Sequence, residues 1–247
     1  MSPDFAGLAA WGRVAVTGPM AGGARSRLWR AERGAERLVL RRCSESEASM
    51  RWLIGVQRAA ERAGLHLAAL LPSADGRLVV GGWTVEPFLD DVPAEDRDVL
   101  ALRPHLLRWQ ACCRGHRHRP GHLPLREARH LPKPLQRIIR ALLPDGPLVA
   151  VHGDIHPGNL LRLPSGRLGL VDWEEARADH AGVDLLGTLP ISGAGQESLW
   201  LAAEVSACWA VEPERARRLA RRLRAMPGRL DVPRCRGCLE VIEAWRG

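Results

Sequence analysis

The sequence predicts an α+β fold of two lobes, in which a small lobe built on an antiparallel sheet precedes a larger, mainly helical lobe. Short β-prone runs separated by turns occupy much of residues 14–85, whereas apolar residues at helical spacing dominate from residue 99 onward. With 247 residues and 46% hydrophobic content, the chain can bury a sizeable core. We therefore assign residues 1–87 to an N-lobe and residues 88–247 to a helical C-lobe.

The N-lobe is predicted from several strand candidates and one helix. Apolar residues from Ala48 to Ala63 recur at helical spacing, and Gly64 ends that helix. A turn around Gly34 joins two of the strands as a hairpin. The strand candidates are residues 14–17, 27–31, 37–42, 78–80 and 83–85.

The C-lobe is predicted from apolar stripes at helical spacing. These stripes run over residues 99–113, 135–143 and 213–226. Residues 114–132, between the first two, are rich in Arg, His and Pro, and we predict an irregular segment there. The last stripe belongs to a helix that begins at Pro213 and ends at Pro227-Gly228, with most of its arginines facing solvent.

The charge balance is strongly basic, with a net charge of +8 and a pI near 10.3. Lys133 is the only lysine among 36 basic residues, and there is no tyrosine. This skew is typical of a GC-rich coding bias, so we do not expect a nucleic-acid partner from the charge alone. A site that needs a cationic side chain must use Lys133 or an arginine.

Several protein classes do not fit the chain. Six cysteines are too few at this length for a secreted disulfide framework. The N-terminus has no basic segment followed by an apolar run, and no stretch of ~18 apolar residues predicts a membrane span. We expect a soluble, cytoplasmic protein without a membrane partner, and the sequence does not set its oligomeric state.

One segment carries the residues for chemistry. Residues 164–167 form a turn between short apolar strands at 160–163 and 168–171, and this hairpin should bring Asp154, Asn159 and Asp172 together. Two carboxylates and an amide oxygen make an oxygen-rich site suited to Mg²⁺. Phosphoryl transfer needs such a metal site and a carboxylate that takes the proton of the acceptor hydroxyl. Asp154 precedes Asn159 by the spacing that kinase catalytic loops show.

The run from His152 to Asn159 (His-Gly-Asp-Ile-His-Pro-Gly-Asn), with Asp172-Trp-Glu and Asp184-Leu-Leu, resembles the motifs of the aminoglycoside phosphotransferase and choline kinase family. The resemblance covers residues 149–187 closely and implies a protein-kinase-like bilobal fold. It implies transfer of the γ-phosphate of ATP or GTP to a small-molecule hydroxyl. It also implies Asp154 as catalytic base, Asn159 and Asp172 as Mg²⁺ ligands, and His152 as a support of the loop.

The N-lobe matches this family more loosely. Kinases place a lysine at the strand position of Arg41 to hold the nucleotide phosphates, and Arg41 must serve here because Lys133 lies in the other lobe. Arginine can do so, since its planar fork binds phosphate and stays charged. We expect Glu47, early in the next helix, to orient Arg41, with Glu45 as the competing choice.

Two further N-lobe segments are candidates for nucleotide contact. Gly22, Gly23 and Ser26 belong to a turn whose backbone N–H groups could approach phosphate, although it lacks the Gly-x-Gly-x-x-Gly pattern of protein kinases. We expect Glu86 to Phe88 to form a hinge whose backbone pairs with the purine edge.

Other functions were weighed against this one. A catalytically weak, nucleotide-binding pseudokinase module is the main alternative, because Arg41 replaces the lysine and the glycine turn is thin. Asp154-Ile-His156 also resembles a metallophosphoesterase motif, but Leu160 follows Asn159 where that class has histidine. We interpret Cys235 and Cys238 as idle thiols rather than zinc ligands.

The identity of the acceptor stays open in the sequence. The arginine-rich distal helices disfavour a polycation. The short stretch between the hinge and the catalytic loop is rich in arginine and histidine, which suits a neutral or anionic hydroxylated acceptor. An antibiotic-modifying enzyme, a natural-product kinase and a metabolite-salvage kinase are all compatible with this pattern.

Overall fold

The computed structural model describes residues 4–20, 28–90, 92–115, 117–143, 147–188 and 194–226. The chain divides into two compact units, one of residues 1–93 with 161–171 and one of residues 94–160 with 172–247. Within the described ranges, no helix combines the length and the hydrophobicity that crossing a membrane requires.

The strands of the described residues are β1 Ala15–Pro19, β2 Leu28–Arg33, β3 Glu36–Arg42, β4 His66–Leu67, β5 Trp83–Pro87, β6 Val92–Pro93, β7 Val149–Val151, β8 Leu160–Arg162, β9 Leu168–Leu170 and β10 Arg177–Asp179. Their α-helices are α1 Glu47–Arg62, α2 Asp96–Cys112, α3 Lys133–Leu142, α4 Gly182–Gly187, α5 Ala194–Cys208 and α6 Pro213–Ala225. Short 3₁₀ helices cover Ala6–Trp11, Leu125–Glu127, Pro157–Asn159 and Trp173–Glu175.

The main sheet of the first unit is antiparallel, in the order β1-β2-β3-β5. Alternation along β3 buries Leu38 and Leu40 on one face, where they pack with Trp83, Val85 and the residues of the Ala6–Trp11 helix. The predicted hairpin around Gly34 is confirmed, and Gly34 adopts a φ of 61° there. The opposite face of the sheet therefore carries the alternate side chains of β3 and β5.

Helix α1 begins and ends where the sequence predicts. The Ser46 hydroxyl caps its first turn by accepting a hydrogen bond from the Ser49 N–H at 3.2 Å. Its apolar side is buried, and Gly64 follows the last turn with a φ of 94°.

The strand predicted over residues 78–80 is wrong. Val80 forms only an isolated bridge with Trp83 across a two-glycine turn. The N–H groups of Leu78 and Val79 donate to the carboxylate of Glu47 instead of to a neighbouring strand.

A second sheet of the described residues has the order β4-β9-β8-β6. Strands β4 and β9 are parallel, with His66 opposite Gly169, whereas β6 and β8 are antiparallel. The predicted hairpin of β8 and β9 is confirmed, and Gly166 supports its turn with a φ of 76°. This hairpin separates the two sequence segments that carry Asn159 and Asp172.

The second unit is mainly helical. Helices α2, α3 and α6 follow the predicted apolar stripes, whereas α5 lies in a segment for which we predicted no helix. Between α2 and α3, the described residues form only the short helix Leu125–Glu127, as expected for an irregular segment. The antiparallel pair β7 and β10 is almost wholly buried and places the segment that begins at His152 directly after β7.

Candidate active site

The segment after β7 is anchored by a buried carboxylate. Asp184, in the first turn of α4, accepts hydrogen bonds from the N–H groups of His152 and Gly153, both at 2.8 Å. Burial raises the pKa of Asp184 to about 6, although these two N–H groups favour its charged form. These two contacts give Asp184 a structural role in the loop.

Gly153 brings the same segment into close contact with the chain before β10. Its φ is 87°, and a Cβ atom there would lie 2.6 Å from the carbonyl oxygen of Glu175 and 2.9 Å from Nη1 of Arg177. No side chain other than hydrogen fits this space without displacing backbone. Glycine is therefore needed directly before Asp154.

Asp154, Asn159 and His156 are in mutual contact. The Asn159 Nδ2 amide donates to the Asp154 carboxylate at 3.1 Å and to the Asp154 carbonyl at 3.0 Å. His156 Nε2 lies 3.6 Å from Asp154 Oδ2, while its Nδ1 accepts the N–H of Gly158 at 3.0 Å. The Asp154 side chain stays 36% exposed, so a solvent-borne group can reach it.

The two titrating side chains shift each other. His156 lowers the pKa of Asp154 through their direct interaction, which outweighs the effect of burial. Asp154 raises the pKa of His156 in turn, with smaller contributions from Glu204 and Asp172. Asp154 is therefore a carboxylate at neutral pH, and Asp172 lies near enough to act on the same imidazole.

Asp172 adopts a backbone conformation that is uncommon for residues other than glycine. Its φ of 62° and ψ of 64° make it the only non-glycine residue with positive φ among the described residues. The next residue anchors this conformation, because Trp173 is buried edge-on against Trp109 and His152. Such strain is commonly found at functional sites.

Arg119 fixes the loop after Asp172. This arginine is almost fully buried, and its Nη1 donates to the carbonyl oxygens of Glu174 at 2.9 Å and Ala176 at 2.8 Å. The guanidinium thus ties together the turn that carries Asp172. Nothing in the sequence indicated this role, since Arg119 lies in the segment predicted to be irregular.

The oxygen atoms of Asn159 and Asp172 fit Mg²⁺. Because Nδ2 of Asn159 donates to Asp154, its Oδ1 is the atom available to a cation. Within the described residues, no three His, Cys, Asp or Glu side chains converge on a point where they could hold an ion. A carboxylate and an amide oxygen are nevertheless ligands of the kind that Mg²⁺ prefers.

Among the described residues, Cys112 and Cys113 form no disulfide. Cys235 and Cys238 lie outside the described residues.

In the first unit, Arg41 lies on the sheet face opposite the apolar core. Its Nε is 3.8 Å from Oε1 of Glu86, and the two side chains are 12% and 15% exposed. Glu47 has other contacts, since it accepts hydrogen bonds from the N–H groups of Leu78 and Val79. Glu86 thus lies beside Arg41, whereas the carboxylate of Glu47, predicted to orient Arg41, is engaged by the backbone before β5.

The hinge prediction requires a correction at Phe88. The Phe88 N–H donates to the carbonyl of Arg37 at 2.9 Å, so it is already engaged within the unit. The Arg37 guanidinium also lies 4.8 Å from the centre of the Phe88 ring. Glu86 lies within strand β5, and the predicted turn residues Gly22, Gly23 and Ser26 lie outside the described residues.

Comparison with known proteins points to one group of enzymes. A family model described as the phosphotransferase enzyme family (APH) matches residues 89–227. No curated protein sequence matches the chain.

Three solved structures illustrate the likeness. An aminoglycoside phosphotransferase from Alicyclobacillus acidocaldarius superposes with a TM-score of 0.57 at 17% identity, covering 100% of this chain and 94% of that one. Choline kinase LicA from Streptococcus pneumoniae gives 0.55 at 15% identity, covering 85% and 94%. Spectinomycin phosphotransferase APH(9)-Ia, solved with ADP and spectinomycin, gives 0.52 at 13% identity, covering 92% and 87%. The predicted protein-kinase-like α+β fold is thereby confirmed.

Proposed function

Because the chain belongs to the phosphotransferase enzyme family, we propose that it transfers the γ-phosphate of ATP or GTP to a hydroxyl group of a small molecule. The observation that carries this proposal is the contact of Asp154 with Asn159 in a loop anchored by Asp184. It supplies an accessible carboxylate beside an amide oxygen, which is the pair that phosphoryl transfer to a hydroxyl requires.

Asp154 is the proposed base. Its carboxylate is ionised at neutral pH, His156 lowers its pKa further, and Asn159 fixes the direction of one oxygen. The acceptor hydroxyl would donate its hydrogen bond to this carboxylate, which orients the attacking oxygen. Asp154 would then take the proton as the new O–P bond forms and the bond from the γ-phosphorus to the β,γ-bridging oxygen breaks, with ADP or GDP as the leaving group.

Asn159 and Asp172 are the proposed ligands of Mg²⁺. When bound, an ion held by these two residues would neutralise part of the negative charge of the phosphates. The structure supports this assignment through the free Oδ1 of Asn159 and the strained, supported backbone of Asp172.

Arg41 is the proposed contact for the nucleotide phosphates. It lies on the sheet face away from the core, largely sheltered from solvent, and its charge does not titrate at physiological pH. Gly22, Gly23 and Ser26 stay candidates for the loop that covers the phosphates. The related spectinomycin enzyme was solved with ADP, which supports a nucleotide as the phosphate donor.

The proposed acceptor is a small, neutral or anionic hydroxylated compound. Exposed arginines cover helix α6, and such a surface disfavours a polycation. Antibiotic modification, natural-product biosynthesis and metabolite salvage are the roles that this chemistry allows.

A two-step experiment tests the proposal. Thermal unfolding with ATP or GTP, with and without Mg²⁺, should show stabilisation that depends on the metal. A panel of hydroxylated acceptors should then reveal phosphate transfer by mass spectrometry, with Asp154→Asn as the inactive control. Stabilisation by nucleotide without any phosphorylated acceptor would favour the alternative, a pseudokinase module.

A further inference from the structure

We propose that Glu86 is the positioning residue of Arg41, so that the phosphate-binding arginine takes its orientation from strand β5 and not from helix α1. The inference rests on the proposed function, because it assigns a task to Arg41 in nucleotide binding. Its support comes from the register of the sheet, the commitment of Glu47 and the polar character of one sheet face.

The register places the two side chains together. Strands β3 and β5 pair with Val39 opposite Glu86 and Arg41 opposite Thr84. Arg41 and Glu86 are therefore diagonal neighbours on the same face of an antiparallel pair, where long side chains reach each other. The Nε to Oε1 distance of 3.8 Å agrees with this geometry.

Burial strengthens the electrostatic attraction between Arg41 and Glu86. Both side chains are mostly buried, so the attraction is screened less than in an exposed ion pair. A guanidinium has five donors in a rigid plane, and its Nε edge can meet a carboxylate while another edge meets phosphate. A lysine ammonium is a single point charge and cannot present one edge to a carboxylate and another to phosphate.

Glu47 has a different task. Its carboxylate accepts the N–H groups of Leu78 at 3.0 Å and Val79 at 3.2 Å, and it pairs with Arg51 at 3.1 Å. These contacts tie the first turn of α1 to the segment before β5. Removing the carboxylate would leave backbone N–H groups without their acceptor, which is a loss of stability and not of phosphate contact.

Thr84 places a buried, unsatisfied hydroxyl on the same face. It lies directly across from Arg41, is 1% exposed, and its hydroxyl has no hydrogen-bond partner among the described residues. Buried hydroxyl groups are satisfied in most folded proteins. The face of the sheet that carries Arg41 and Glu86 is therefore more polar than the opposite, apolar face.

The experiment measures the affinity for Mg·ADP by calorimetry in a small set of variants. Glu86→Gln keeps the shape of the side chain and removes its charge, and it should weaken binding about fivefold or more. Arg41→Ala should weaken binding further, and the double variant should bind no worse than Arg41→Ala alone, because Glu86 acts through Arg41. Glu36→Gln is the matched control, because Glu36 pairs with Arg33 at the exposed end of strand β3, which also carries Arg41. This variant should leave the affinity for Mg·ADP unchanged.

Kinetics and stability separate positioning from folding. Glu86→Gln should raise the KM for nucleotide without changing the KM for acceptor, and Glu86→Asp should give an intermediate affinity. Glu47→Gln should lower the unfolding temperature yet change the affinity less than Glu86→Gln does. Thermal unfolding of Glu86→Gln shows whether a loss of nucleotide affinity comes from misfolding. If that variant does not fold, the affinity of Glu86→Asp tests the inference instead.

Two results would overturn the inference. Glu86→Gln could bind Mg·ADP as well as or more tightly than the wild type, which would make Glu86 a mere counter-ion that nucleotide displaces. Glu47→Gln could match Arg41→Ala in its loss of affinity, which would return the positioning role to helix α1. A wild-type protein that binds no nucleotide would instead refute the proposed function, and this inference with it.

Discussion

The side-chain amide of Asn159 donates to two oxygens of Asp154, the carboxylate Oδ2 at 3.1 Å and the backbone carbonyl at 3.0 Å. One residue thus orients the proposed base and holds the loop that carries it. The carboxylate keeps one-third of its surface exposed, so its orientation is set before an acceptor arrives.

Replacing Asp154 with Asn should reduce kcat by at least ~10²-fold, the usual contribution of a positioned base. The Asn side chain keeps the size of the group and loses the ability to take a proton. Affinity for Mg·ATP should stay close to that of the wild type, because Asp154 is not among the proposed metal ligands. Steady-state kinetics measures the change in kcat, and calorimetry measures the affinity for Mg·ATP. Unchanged turnover of a true acceptor would refute the assignment of the base.

Replacing Asp172 with Asn should separate its carboxylate from its backbone conformation. Asn tolerates the left-handed region that Asp172 occupies, so the variant should be as stable as the wild type. It should nevertheless lose at least about tenfold in affinity for nucleotide when Mg²⁺ is present. Asp172→Ala should lose the same affinity and, in addition, some stability.

Binding titrations with and without Mg²⁺ distinguish these effects. An Asp172→Asn variant whose nucleotide affinity still rises with Mg²⁺ as in the wild type would show that Asp172 is not a metal ligand.

Replacing Gly153 with Ala should destabilise the protein by about 3 kcal/mol or more, because its Cβ would lie 2.6 Å from the Glu175 carbonyl. The control is Gly166→Ala, which also has a positive φ but has open space around the added methyl group. That variant should lose only about 1–2 kcal/mol of unfolding free energy, the cost of placing an alanine at positive φ. Denaturant unfolding measures both, and equal losses would show that the contact with Glu175 does not matter.

Asp184 should make stability depend on pH. Its pKa is raised from 3.8 to about 6, so the folded chain binds this proton more tightly than the unfolded chain does. The contribution is therefore full below the unfolded pKa and is lost as the pH rises through about 6, by up to about 3 kcal/mol.

Asp184→Asn should lack this part of the pH dependence. It should also be less stable at low pH by about 1–3 kcal/mol, because an amide offers one acceptor to two N–H groups. Denaturant unfolding between about pH 4 and pH 7 measures the difference. Asp90→Asn, at an exposed carboxylate, is the control, and a pH profile of Asp184→Asn that parallels the wild type would contradict the assignment.

The local features of the site could be predicted because they depend on neighbours in sequence. The contact of Asp154 with Asn159 spans five residues, and the hairpin of β8 and β9 follows from a turn between two apolar runs. The partner of Arg41 could not be predicted, because it depends on the register between β3 and β5. The alternation of apolar and polar residues along a strand does not set that register by itself.

Contacts over long sequence distances were also beyond prediction. Arg119 meets the carbonyls of Glu174 and Ala176 across more than fifty residues, and no local pattern marks it. We predicted no site role for His156, yet it lies half exposed beside Asp154. Its spacing two residues after Asp154, followed by Pro157, is the one signal that could have indicated this position.

The close approach of Gly153 to Glu175, with Arg119 holding the carbonyls on either side of that residue, joins two stretches of chain into a single stiff piece. We therefore expect these stretches to keep the same geometry whether or not a small molecule is bound. Crystals grown with and without nucleotide should show the same path for residues 152–159 and 173–176. In that case, differences in turnover among acceptors would report how each acceptor sits against a fixed loop.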